Sequence, residues 1–119
     1  DEVDYVMSFE ELGAFMVAYD IDVANCSEKE LNHEVTKYGR GFAQAGGVQA
    51  AVVNAIGDKY SNIHIEGLDK KNQALLKSMA KKPDAQFVEV MACDGGCING
   101  PCSLAPLTLA KRQIKKVLE

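Results

Sequence analysis

The segment FVEVMACDGGCING, residues 87–100, joins a short apolar run to a turn that is rich in glycine and cysteine. The run at 87–92 is mostly apolar and bounded by turn residues, which predicts a β-strand. Cys93 and Cys97 follow this strand directly, with Gly95 and Gly96 between them. Because α/β proteins bind ligands at the carboxyl ends of parallel strands, the sequence indicates that its chemistry lies at this strand end.

The rest of the chain alternates between helical and strand-like spacing. Ser8 and Glu11 form a capping box that starts a predicted helix at 9–20. Apolar periodicity predicts further helices at 46–60, at 70–81 after Asp69, and from Pro106 to residue 118. β-Branched and aromatic residues predict a strand at 3–7, and alternation predicts one at 62–66. Residues 27–32 suggest a helical turn after Ser27, and 33–45 suggest a loop.

This order predicts an α/β fold, with a small, mostly parallel sheet of three to four strands flanked by helices. A length of 119 residues fits a single domain over 1–119, long enough for a sizeable core. The sequence lacks an initiator Met, so we expect a piece of a longer protein. That expectation also fits the predicted sheet, which is small enough to need further protein to pack against.

Composition excludes several classes of protein. The 17 acidic and 13 basic residues give a net charge of −4, which argues against nucleic acid or an anionic membrane as a partner. The longest apolar stretch, 12–19, is too short to span a bilayer. A secreted disulfide framework would spread its cysteines along the chain, whereas three of these four lie within ten residues. We therefore expect a reducing compartment, the cytoplasm.

The cysteines point to a metal site without fixing its type. The C-x₃-C spacing of Cys93 and Cys97 differs from the C-x₂-C typical of zinc ribbons and redox dithiols, which disfavours both. Iron–sulfur clusters are also held by thiolates, commonly four. The alternative is a set of small buried thiols in a glycine-rich turn, and a packed thiol is the interpretation for Cys102. His64 is expected to be a surface imidazole.

Three segments, in this order, resemble the iron-only (FeFe) hydrogenases. FVEVMACDGGCING is similar to the family's third cysteine motif, a strand followed by Met-Ala-Cys-x-Gly-Gly-Cys. GRGFAQAGGVQAAV at 39–52 resembles its Gly-Phe loop and Gly-Gly-Val helix start. VDYVMSFEEL at 3–12 resembles the strand and helix that precede them. The resemblance implies one lobe of the hydrogenase fold, the C-terminal lobe of the large-subunit catalytic domain.

The resemblance also implies roles for individual residues. Cys93 would ligate the four-iron four-sulfur part of the cofactor, and Cys97 would bridge that part to the diiron subsite. The apolar side chains of Phe42, Val48 and Met91 would form a wall around the diiron end. Gly46 and Gly47 would begin a helix whose N-terminus points at the anionic cofactor.

The whole protein would then oxidise dihydrogen reversibly to protons and electrons. The other cluster cysteines would come from an N-terminal remainder of the same protein, with ferredoxin-like electron carriers as partners. The isolated chain would lack the cofactor and would not turn over.

Departures from the family pattern keep two alternatives open. Asp94 stands where the family usually has proline, Ala43 replaces a pocket glycine, and 100–104 replaces a glycine-rich ending. These changes resemble the divergent, sensory branches, so one alternative is a non-catalytic hydrogen- or redox-sensing iron–sulfur module. The other is a plain α/β domain with no cluster.

Overall fold

Two short parallel strands position the segment that carries the cysteines. In this computed structural model, which describes residues 2–30 and 34–119, β1 (Asn62–Glu66) pairs with β2 (Phe87–Met91). The register runs from Asn62 opposite Phe87 to Glu66 opposite Met91. Both carboxyl ends therefore lie at the same edge, directly before the cysteines.

The described residues also form five helices. They are α1 (Phe9–Ala18), α2 (Lys37–Arg40), α3 (Gly47–Ile56), α4 (Lys70–Met79), which connects the two strands, and α5 (Leu107–Leu118). Short 3₁₀ turns occupy Val23–Asn25, Gly41–Ala43 and Cys97–Asn99. The α/β class predicted from the sequence is confirmed, and all four long helices fall inside the ranges that periodicity predicted.

Local side-chain caps explain where several helices begin. Ser8 and Glu11 form the predicted capping box at α1, with both reciprocal hydrogen bonds in place. The Asp69 side chain accepts a hydrogen bond from the Asn72 backbone N–H and so starts α4. α3 differs, because it begins after Gly46, which has no side chain to act as a cap.

Other parts of the prediction are wrong. The described residues form a sheet of two strands, not three to four, so β2 is an edge strand. Residues 3–7 are not a strand: Tyr5 and Val6 are 88% and 91% exposed. Their β-propensity does not suffice, because a strand needs a neighbour to pair with and a face to bury.

The segment between α1 and α3 also differs from expectation. Residues 27–30 form no helical turn, and residues 31 and 32 of that prediction lie outside the described residues. The predicted loop at 33–45 contains α2, whose N-cap Thr36 accepts a hydrogen bond from the Gly39 N–H. A helix of four residues has too few positions to show a period.

The core is much smaller than the chain length suggested. In the part of the chain that the structure describes, Ile65 (4% exposed) and Met79 (7%) are the buried hydrophobic side chains. The accessible surface is 9462 Å², against about 6300 Å² for a compact protein of this mass. The Cα radius of gyration is 17.3 Å, against about 13.5 Å for a compact protein of this length. A two-stranded sheet offers too little surface to bury the apolar faces of the helices.

No helix among residues 2–30 and 34–119 combines the length and the apolar character that crossing a bilayer requires.

Candidate functional site

The two cysteines of the CDGGC segment open onto one cavity. This cysteine loop, residues 93–97, begins two residues after β2. Cys93 is half-buried and Cys97 is exposed, and both line a cleft of about 340 Å³. The start of α1 supplies most of the remaining wall, which consists of Met7, Ser8, Phe9, Leu12, Gly100 and Pro101.

The loop conformation requires its two glycines. Gly95 and Gly96 have φ angles of +83° and +82°, which side chains rarely adopt. A Cβ on Gly96 would come within 2.6 Å of the Ala45 backbone N, and one on Gly95 within 2.6 Å of Leu107 Cδ1. The loop is therefore packed between the 43–45 backbone and α5. The backbone leaves no room for a side chain at Gly96, and the Leu107 side chain would have to move to admit one at Gly95.

Hydrogen bonds from β1 hold one side of the loop. The parallel ladder continues past the strands, with Gly67 N–H donating to Met91 O (3.1 Å) and Leu68 N–H to Ala92 O (3.2 Å). The Gly95 N–H donates to Glu66 Oε2 at 2.7 Å. Three contacts in succession thus fix the path of the chain through Cys93.

The 43–45 backbone holds the other side. The Ala45 N–H donates to Gly95 O at 3.2 Å, and Gln44 forms an isolated antiparallel bridge with Gly96. Within the loop, the Gly96 N–H donates to Cys93 O at 3.1 Å. The segment that resembles the family's Gly-Phe loop therefore contacts the cysteine motif directly.

Gly46 and Gly47 line a different cavity. It measures about 320 Å³ and includes His64, Gln49, Lys37 and Tyr38. Gly47 is buried because α3 crosses Gly41 so closely that a Cβ would overlap the Gly41 carbonyl. The helix N-terminus already receives a carboxylate of this chain, since the Gln49 N–H donates to Glu89 Oε2 at 2.8 Å.

The three predicted apolar wall residues lie outside both cavities. Phe42 is 49% exposed, and Val48 and Met91 are half-buried. None of the three appears in the lining of either cleft among the described residues. The structure thus brings Cys93 and Cys97 together, places Gly46 and Gly47 elsewhere, and leaves the wall and helix-start roles as predictions.

The other two cysteines do not line this cleft. Cys102 is exposed, so the expectation of a packed thiol is wrong. The negative charge of Glu10 raises the pKa of the Cys102 thiol, helped by a hydrogen bond to the same carboxylate. Cys26 is exposed and its Sγ donates to Asp22 O at 3.3 Å. No three His, Cys, Asp or Glu side chains of the described chain gather closely enough to hold a metal.

Sequence reasoning missed two carboxylates. Glu66 contacts the cysteine loop, and the buried Glu89 caps α3. Alternation at 62–66 puts Glu66 on the polar face of the strand, and period-two spacing does not show which loop returns to cover that face. The position of Glu66 could have indicated its contact with the loop. Glu66 ends β1, which pairs with the strand that precedes the cysteines.

Comparison with known proteins identifies the family. The sequence matches the family model described as "Iron only hydrogenase large subunit, C-terminal domain" over residues 1–74 and 53–101. The chain belongs to this family. The second match includes β1, β2 and the whole cysteine loop of this iron-only hydrogenase domain.

A curated relative agrees with that assignment. The chain is similar to Iron hydrogenase 1 of Clostridium pasteurianum, with 36% identity over 73 residues, which is 60% of this chain. The match covers 13% of the relative, so the chain spans only a small part of the length of that hydrogenase.

Proposed function

We propose that this chain supplies Cys93 and Cys97 as two thiolate ligands of an iron–sulfur group in an iron-only hydrogenase-like protein. The observation that carries the proposal is that both cysteines line one cleft at the carboxyl end of β2. When bound, the group would supply the redox chemistry of H₂ ⇌ 2 H⁺ + 2 e⁻. This chain's residues would hold it, exclude water from one side and set its charge environment.

The residues around the cleft suit such a group. Thiolates are soft ligands that favour iron–sulfur clusters. Met7, Phe9 and Leu12 give the cleft an apolar wall, which lowers solvent access to whatever the thiolates hold. Gly100 leaves space beside Cys93, because a Cβ there would lie 3.9 Å from its Sγ. Two cysteines fall short of the usual four, so the site needs ligands from elsewhere.

The proposed source of those ligands is an N-terminal remainder of the same protein. Large apolar side chains stay exposed along the first part of the chain, including Val3, Phe9, Phe15 and Val17. Such exposure supports packing against further protein, because large exposed apolar surface is typical of interaction sites. The proposal retains ferredoxin-like electron carriers as partners and the cytoplasm as compartment, which suits cysteines that are free thiols.

Cysteine variants of the full-length, matured protein test the proposal. Cys93→Ser and Cys97→Ser should each lower bound iron and alter the electron paramagnetic resonance spectrum of the cluster, because serine replaces a thiolate ligand. Cys26→Ser is the matched control, since Cys26 is also a free thiol but lies outside the cleft. Wild-type iron content and spectra in both cleft variants would overturn the proposal.

A second candidate, hydrogen or redox sensing, draws on the contacts of two divergent positions. The Ala43 carbonyl oxygen lies 2.9 Å from where a Gly96 Cβ would stand, so Ala43 adjoins the cysteine loop. Asp94 lies within the loop and is exposed. Dihydrogen evolution by the full-length protein separates the candidates. A sensor should turn over slowly and accelerate in Asp94→Pro or Ala43→Gly, whereas high activity unmoved by either change would favour a catalyst.

A further inference from the structure

Glu66 is the only described side chain that reaches the cysteine loop from β1 by a charged hydrogen bond. It is half-buried, ends β1, and accepts the Gly95 N–H at 2.7 Å across 29 residues of sequence. No described basic side chain forms an ion pair with it. A half-buried carboxylate whose one polar side-chain contact is a backbone amide calls for an explanation.

We propose that Glu66 is a positioning residue, whose carboxylate holds the Gly95 amide and thereby fixes the orientation of both cysteines toward the cleft. The proposal rests on the proposed function, because it takes thiolate ligation as the purpose of the loop. It adds Glu66, which lies outside the cysteine motif, and gives the hydrogen bond to the Gly95 N–H as the means by which Glu66 acts.

The conformation of Gly95 explains why the loop needs this contact. Glycine loses more backbone freedom on folding than other residues do, so two adjacent glycines make an entropically costly turn. A hydrogen bond to an ionised acceptor is about twice as strong as a neutral one. On the opposite side, the restraints on the loop are neutral backbone contacts, namely the Ala45 N–H to Gly95 O hydrogen bond and the bridge between Gln44 and Gly96. Glu66 therefore provides the strongest single restraint on Gly95.

The same contact has an electrostatic effect on the thiolates. An N–H that donates to a cysteine sulfur stabilises the reduced, more negative state of a cluster. The Gly95 N–H donates to Glu66 instead, so it is withdrawn from that role. The carboxylate also adds a negative charge beside the loop. Both effects disfavour electron addition, so Glu66 lowers the reduction potential of a group held by Cys93 and Cys97.

Hydrogen exchange in the full-length protein tests the positioning role without depending on bound iron. Glu66→Ala removes the acceptor, and we expect exchange of the Gly95 amide, followed by mass spectrometry, to accelerate at least about tenfold. Glu66→Gln keeps an amide oxygen as acceptor without the charge, so it should retain more protection than Glu66→Ala. Asp94→Asn is the matched control, because it removes an acidic charge from the loop and leaves the Gly95 bond intact. Unchanged Gly95 exchange in Glu66→Ala, or equal acceleration in Asp94→Asn, would overturn the proposal.

The reduction potential provides a readout that a merely structural role would not move. In the iron-loaded protein, Glu66→Gln should raise the potential while Gly95 stays protected, since it removes the charge and keeps the contact. If Glu66→Gln leaves both the potential and the Gly95 protection unchanged, the electrostatic part of the proposal is refuted. If Glu66→Ala loses protection throughout the protein, the comparison of Glu66→Gln with the wild type decides instead. If the full-length protein takes up no iron, the proposed function fails, whereas the exchange comparison still decides the positioning role.

Discussion

Glu89 Oε2 accepts a hydrogen bond from the Gln49 backbone N–H at 2.8 Å, across 40 residues of sequence. Gln49 is the third residue of α3, the position that a helix's own N-cap side chain usually serves. Gly46 cannot serve it, so β2 caps α3 through a tertiary contact. Glu89 is 6% exposed, and its Oε1 has no hydrogen-bond partner among the described residues.

This buried cap gives the first prediction. Glu89→Ala leaves the Gln49 N–H without its acceptor, so it should lower the free energy of unfolding by about 1–3 kcal/mol. Glu89→Gln keeps an acceptor and removes a charge that is costly to bury, so it should be the less damaging change. Urea denaturation of both variants measures the difference. Equal losses in the two variants would show that the contact contributes little.

A pair of glycine variants tests the packing of the cysteine loop. Gly96 and Gly57 share a positive φ, +82° and +81°, with extended ψ. Alanine at either position should cost about 1–3 kcal/mol in backbone strain. A Cβ at Gly57 meets nothing within 4 Å, whereas one at Gly96 would collide with the Ala45 and Gln44 backbones. Thermal melts should therefore show Gly96→Ala to be the more destabilised, and equal melting temperatures would contradict the packing.

The reactivity of Cys102 should depend on Glu10. The Glu10 charge raises the pKa of this thiol above its usual 9.0, so less of the reactive thiolate exists near that pH. Glu10→Gln should therefore accelerate alkylation of Cys102 by iodoacetamide at about pH 9, as followed by mass spectrometry. Asp58→Asn removes an acidic charge elsewhere and serves as the control. Acceleration by both changes would point to net charge rather than to the Glu10 contact.

The start of α1 should be sensitive to acid. Hydrogen bonds from the Ser8 N–H and hydroxyl lower the pKa of Glu11 below its usual 4.5. A lowered pKa gives stability that is present above the ordinary value and lost as the pH falls through the lowered one. Amide chemical shifts of α1 should thus show fraying as the pH falls below 4.5, and Glu11→Gln should weaken this pH dependence. An identical pH profile in the variant would exclude Glu11 as the cause.

The 119-residue chain alone should bind iron weakly or not at all. Its cleft presents Cys93 and Cys97, whereas the exposed Cys26 and Cys102 do not line it. Two ligands leave half of a four-cysteine cluster site unfilled. Anaerobic reconstitution followed by iron and sulfide counting measures the outcome. Stable incorporation of a four-iron cluster would mean that Cys26 and Cys102 complete the site.

The sequence by itself determined the local structure. Two helices start through contacts between residues three positions apart, Ser8 with Glu11 and Asp69 with Asn72. Such local caps can be predicted from the sequence. The strands at 62–66 and 87–91 follow from alternation and from a short apolar run. The family match agrees with the resemblance that the CDGGC motif suggested.

Only the tertiary structure decided which residues support the site. Glu66 and Glu89 act on Gly95 and Gln49 from 29 and 40 residues away, and no local pattern encodes such a pairing. The strand predicted at 3–7 failed for the converse reason, because a strand forms only where a partner edge exists. Periodicity shows that a face is apolar or polar, whereas the path of the folded chain determines what comes to lie against that face.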